Sequence, residues 1–240
     1  MMGCASHTIV HTDLVYGGST INCDYSALRK YYRDILEAAW SLKKMPRPRC
    51  ENKLPEILSK EEVVRIIEHA PLYKHQVYLT FVYGTGCRLG EACRMRLEDI
   101  DSDRLQVRAR QGKGQKDRYV ILAPRLLDIL REYYKRVRPK VYLFNGRQRG
   151  IQFSKTAGQW CMRRARSLSG IKKRASVHTL RHCYATHHIE SGTDLVYLKE
   201  QLGHKHLKTT AVYVHLCMER YRQINHPLSE LEIQYSWMDR

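Results

Sequence analysis

Residues 178–188 read HTLRHCYATHH, which puts four histidines, one arginine and one tyrosine within eleven positions. His178 and Arg181 stand three apart, so on a helix they share one face and can address one ligand together. An imidazole offers acid–base chemistry near neutral pH, and a guanidinium offers a permanent planar cation that grips phosphate or carboxylate oxygens. The pair suits an anionic substrate. Metal binding is the other chemistry available here, with His178, His182, Cys183 and the later His206 as ligands. No HExxH or CxxC spacing accompanies them, so no metal and no other cofactor is expected. Leu180, Tyr184 and Ile189 supply apolar positions, and on its own the stretch also reads as an ordinary helix with incidental histidines.

Four more segments flank it in a fixed order: TGCRLGE at 85–91, GKGQKDR at 112–118, LGH at 202–204 and TAVYVH at 210–215. Any one of them is common. All five in order, with Tyr213 nine residues beyond His204, form a specific pattern. Together they resemble the tyrosine recombinase (phage integrase) family over about residues 55–216, the extent of that family's catalytic domain. The resemblance implies a DNA strand transferase that cuts and rejoins DNA through a 3′-phosphotyrosine intermediate, in DNA integration or recombination.

Under that resemblance Arg88 and Arg181 clamp the scissile phosphate, Tyr213 is the nucleophile and His178 is the candidate base. His204 donates to a phosphate oxygen, and Lys113 protonates the departing 5′ oxygen. Lys116 shares the turn with Lys113; the first lysine of GKG is the one that matches the family. Glu91 and His182 are carried over as supporting residues. The residue types fit the chemistry. In-line attack loads negative charge onto the non-bridging oxygens, which two guanidinium groups can bind without Mg²⁺. A phenol with an ordinary pKa of about 10 needs an acceptor and nearby positive charge to lose its proton.

These groups need a scaffold that holds them, and the apolar periodicity supplies one. Residues 25–42 repeat apolar positions at three and four, predicting a helix. KKMPRPRCENKLP then reads as a linker, which divides the chain into residues 1–54, a shortened helical DNA-binding region, and 55–240, the catalytic domain with a tail. Ser59 and Glu62 form a capping box before a helix that Pro71 stops. Further helices are expected at about 75–83, 124–137, 154–167, 178–191 and 194–202, with a last one opened by Thr209 or Thr210. LQVRAR alternates and pairs with RYVILA as a hairpin tipped by QGKGQKD. The fold class is therefore mainly α with a small antiparallel β-sheet or hairpin, an α+β tyrosine recombinase catalytic-domain-like fold.

Charge supports the same partner. Lysine and arginine number 42 against 24 acids, a formal net charge of +18. Such an excess points to a polyanion, and double-stranded DNA is the first candidate. Between Val141 and Ala175 lie Arg147, Arg149, Lys155, Arg163, Arg164, Arg166, Lys172, Lys173 and Arg174, with no acid among them. These are expected to track phosphates. The eight cysteines lack disulfide spacing and read as reduced thiols. No segment approaches a membrane span or a secretory signal, so a cytoplasmic, nucleoid-associated protein is expected. A homo-oligomer on DNA, dimer to tetramer, follows from the resemblance, with the tail after Tyr213 expected to dock on a neighbour. Two other readings remain open: a DNA-binding remnant without catalysis, and a type IB topoisomerase-like activity.

Overall fold

The computed structural model describes residues 18–37, 55–110, 117–148 and 150–217. The chain divides into two compact units, Met1–Leu54 and Pro55–Arg240. In the first, α1 runs Gly18–Asp34, about two turns earlier than the apolar pattern predicts. Its Tyr31, Tyr32, Ile35 and Leu36 are exposed, so burial does not set its limits. It opens instead in Gly18-Ser19-Thr20, and it closes where Leu36 N–H reaches back to the Tyr31 carbonyl and Glu37 takes a positive φ.

The second unit begins with α2 (Lys60–Glu68), whose predicted capping box is present: Ser59 Oγ accepts from Glu62 N–H and Glu62 accepts from Ser59 N–H. The central element is α3 (Tyr73–Thr85). Val77, Tyr78, Leu79, Phe81 and Val82 are all almost fully buried, and from Lys74 to Thr85 no residue is fully exposed, so this helix runs through the interior. It lies against α5 (Pro124–Val137) and α7 (Val177–Glu190). Between them come α4 (Leu89–Arg94) and a sheet ordered β1 (Ile100–Asp101), β2 (Gln106–Ala109) and β3 (Arg118–Ile121), with Val107 paired to Val120 and Ala109 to Arg118. The expected hairpin thus gains a third, two-residue strand too short to show alternation. Its tip, with Lys113, lies outside the described residues.

After α5 come α6 (Lys155–Leu168), α7, α8 (Leu195–Leu202) and α9 (Leu207–Ala211). Ser154, Ser176 and Asp194 cap the first three through side-chain oxygens, which sets their starts within a residue of expectation. The last helix opens earlier than Thr209, at Leu207, and a 3₁₀ turn over Val214–Leu216 follows Tyr213. Two apolar clusters result. The larger joins α2 to α7; the smaller gathers Tyr184, Ala185 and Ile189 of α7 with Leu198, Leu202, Tyr213 and Cys217. Helix α7 is wedged between both, and the first half of that helix carries the histidine and arginine face. Cys87, Cys93, Cys161 and Cys183 are buried thiols.

Candidate active site

Two left-handed glycines bring the motif loops together. Gly86 ends α3 at φ 60°, and a Cβ there would stand 2.5 Å from the Tyr184 ring; Gly203 ends α8 at φ 62°, and a Cβ would stand 2.7 Å from Arg118 Cδ. Only glycine permits both the backbone turn and the close approach. Arg181, 1 % exposed, reaches between these loops: Nη1 donates to Gly86 O at 2.6 Å and Nη2 to Leu202 O at 2.7 Å. Its Nη2 also lies 3.1 Å from His204 Nε2. Since a guanidinium only donates, His204 Nε2 must accept, and Nδ1–H donates to Thr210 Oγ1 at 2.8 Å.

Glu91 organises the opposite side. Arg118 donates to both its oxygens at 2.8 Å, and Arg88 Nη1 donates to Oε1 at 2.9 Å. Arg118 Nε is fixed by Gln201 O at 2.9 Å, and Arg88 Nη2 meets Gly203 O at 3.3 Å. Burial alone would raise the Glu91 pKa, but the Arg118 bond and charge, with Arg88 added, hold it at about 2. Three guanidinium groups therefore face one carboxylate, leaving net positive charge for a phosphate. Burial, then Arg88 and Arg118, lower Arg181 to about 10, so it stays charged at neutral pH.

The Tyr213 hydroxyl lies 3.0 Å from His182 Nδ1, and Tyr213 is 5 % exposed. His182 rather than His178 thus meets the phenol. His178 packs against His182, with ring centroids 4.4 Å apart, and is exposed to solvent on its other side. Burial, then His178 and Arg181, lower His182 to about 4; burial, then Arg181 and Arg88, lower His204 to about 4. Both rings are neutral. Burial raises Tyr213, while Arg181 and Arg88 pull it back.

Arg88, Glu91, His178, Arg181, His182, His204 and Tyr213 therefore converge. Arg118, Gln201 and Thr210 join them unforeseen. Arg118 ends the GKGQKDR segment and Thr210 opens TAVYVH, so both lay inside quoted motifs, but only the pairing of distant loops reveals their use. Of the expected DNA contacts, Arg147, Arg163, Arg164 and Lys172 are exposed, and the Lys155 stem crosses the first turn of α4 beside Gly90. Lys173 is tied to Glu62 at 2.7 Å, and the Arg174 backbone N–H donates to Glu56. Lys113 and Arg149 lie outside the described residues. Among the described residues no cluster of His, Cys, Asp or Glu is placed to hold a metal ion, and no helix is long and apolar enough to cross a membrane.

The sequence profile of the phage integrase family matches residues 56–220. The chain belongs to that family. It is 40 % identical over 215 residues to a putative integrase/recombinase, y4qK, of Sinorhizobium fredii, covering 89 % of this chain and 70 % of the relative. It is 33 % identical over 215 residues to the tyrosine recombinase XerA of Thermococcus onnurineus, covering 87 % and 74 %. Its fold superposes with a TM-score of 0.67 on the Tn1549 transposon integrase in complex with circular intermediate DNA, at 16 % identity, covering 83 % of this chain and 75 % of that one. The protein is a tyrosine-type site-specific recombinase with the expected mainly helical fold and small antiparallel sheet, here of three strands. Within the recombinase, the described residues Arg88, Arg118, Arg181 and His204, drawn from four of the ordered segments, form one cationic basin beside Tyr213.

Proposed function

We propose that this recombinase acts on double-stranded DNA with Tyr213 as nucleophile, Arg88 and Arg181 as phosphate clamps and Lys113 as the acid for the leaving group. The Tyr213 oxygen bonds to phosphorus, the bond from phosphorus to the 5′ oxygen breaks, and Lys113 gives that oxygen its proton. The reverse attack by another 5′ hydroxyl joins the strands, so no ATP is consumed. The observation that carries this reading is the convergence of Tyr213, His182, Arg181 and His204 at hydrogen-bonding distances around a net positive basin. Arg181 commits three of its N–H groups and keeps two for a phosphate. His204 accepts from Arg181 in this arrangement, so donation to phosphate from Nε2 requires a tautomer exchange once the phosphate draws Arg181 away. Glu91 holds Arg88 in place.

Exposed Arg147, Arg163, Arg164 and Lys172, with Lys155 beside Gly90 of α4, are proposed to follow the DNA backbone. Lys173, Arg174 and Arg149 complete that set, Lys173 after release from Glu62. Residues 1–54 are proposed as a DNA-binding region, and the working form as a dimer to tetramer on DNA in the cytoplasm, associated with the nucleoid. The deciding experiment is covalent trapping on nicked duplexes drawn from the DNA flanking the gene. An SDS-stable adduct present with the wild-type chain and absent with Tyr213→Phe is expected. DNA binding without an adduct would favour a non-catalytic remnant, and relaxation of any supercoiled plasmid would favour a topoisomerase.

A further inference from the structure

Among the described residues, the Tyr213 hydroxyl meets His182 Nδ1 at 3.0 Å. The contact is built by packing: His182 projects from α7, and Tyr213 is locked into the small apolar cluster that α7 and α8 share. With Tyr213 5 % exposed, little water can reach its proton. We propose that His182 is the catalytic proton acceptor for Tyr213, taking the phenolic proton at Nδ1 while its own Nε2 proton leaves towards His178 and solvent. This deepens the recombinase reading and rests on Tyr213 being the nucleophile.

The balance is one proton in and one out. The bond between the Tyr213 oxygen and its hydrogen breaks as that oxygen bonds to phosphorus, and His182 ends neutral as the other tautomer. A relay suits the charges. Burial, then His178 and Arg181 of α7, oppose an imidazolium at His182, and Arg181 with Arg88 at the start of α4 favours a phenolate at Tyr213 against its burial; His204 after α8 also flanks the phenol ring. Passing a proton through, rather than storing it, avoids that conflict. His178, packed against His182 and open to solvent, is the outlet.

Two measurements on the full chain test this. The first is ¹⁵N NMR of the histidines without DNA at neutral pH, with Tyr213→Phe to assign the contact. The expected result is an Nε2–H tautomer for His182 whose Nδ1 signal moves in Tyr213→Phe; an Nδ1–H tautomer overturns the proposal, and no His182 variant has to fold. The second is single-turnover adduct formation against pH on the nicked duplexes with His182→Asn and His178→Asn. Asparagine keeps an acceptor near the Nδ1 position but carries no proton. His182→Asn should be about 10²–10⁴-fold slower at neutral pH, with the deficit closing as pH rises towards the phenol pKa of about 10. A wild-type rate and pH profile in His182→Asn, or that deficit in His178→Asn alone, overturns it. No wild-type adduct together with the Nε2–H tautomer brings down the recombinase reading; a wild-type adduct with Nδ1–H brings down only the role of His182.

Discussion

Arg118 and Glu91 show how one buried ion pair supports two cations. Arg118 is bidentate on Glu91, and Glu91 in turn holds Arg88, so the charge that stabilises the fold also orients the arginine proposed above as a phosphate clamp. Removing one member of such a pair strands the other, typically at 3–5 kcal/mol. Arg118→Ala is therefore expected to lower the melting temperature by about 10 °C and to reduce adduct formation even below that temperature, read by calorimetry and trapping. Acid adds a second signature. Glu91 is depressed from 4.5 to about 2, so its contribution is full above pH 4.5 and is lost as pH falls towards 2. His182 and His204, depressed from 6.5 to about 4, stay neutral in the fold while the unfolded chain gains protons, so stability already declines as pH falls from 6.5 to 4. In urea titrations, Glu91→Gln should cost on the order of 3 kcal/mol at pH 7 and lose that deficit near pH 2. Individual reactive types were legible from spacing because chemistry restricts them. The choice between His178 and His182 was not, since adjacent turns of one helix project towards a phenol whose position only folding supplies.

Among elements, the helices with side-chain caps were the most legible: Ser59, Ser154, Ser176 and Asp194 satisfy first-turn N–H groups locally, so sequence and structure agree there. Helix α1 was less so, because its exposed aromatic stripe does not mark its ends. The short strand β1 and helix α9 were less legible still: at two and five residues they are too brief to show a period of their own. Gly203 belongs to both levels. Its positive φ closes α8, and the absent Cβ leaves room for Arg118. Gly203→Ala should therefore cost about 2–3 kcal/mol, more than the ~1 kcal/mol of a glycine-to-alanine strain at an open turn, because it also displaces Arg118. Comparison with Gly192→Ala, at φ 83° with nothing within 4 Å, separates the two contributions in denaturant melts.

For the whole molecule, a formal charge of +18 makes the interaction with DNA an ionic-strength measurement before it is a sequence measurement. Binding through about six phosphates predicts a slope near −5 in log K against log salt, a loss of roughly 10³ in affinity between 50 and 200 mM. Arg163→Ala with Arg164→Ala should reduce the slope by about 2 without changing which duplexes are preferred, and an unchanged slope would remove those two residues from the DNA path. Arg181 has a different kind of consequence. Because it pins the carbonyls of Gly86 and Leu202 as well as facing the basin, it cannot be discarded without loosening the fold. Inactivation by drift therefore has an unequal set of routes: a descendant gene no longer under selection for recombination survives as a folded protein after losing His178, which is open to solvent, but not after losing Arg181. An intact Arg181 in a relative is thus poor evidence that it still cuts DNA.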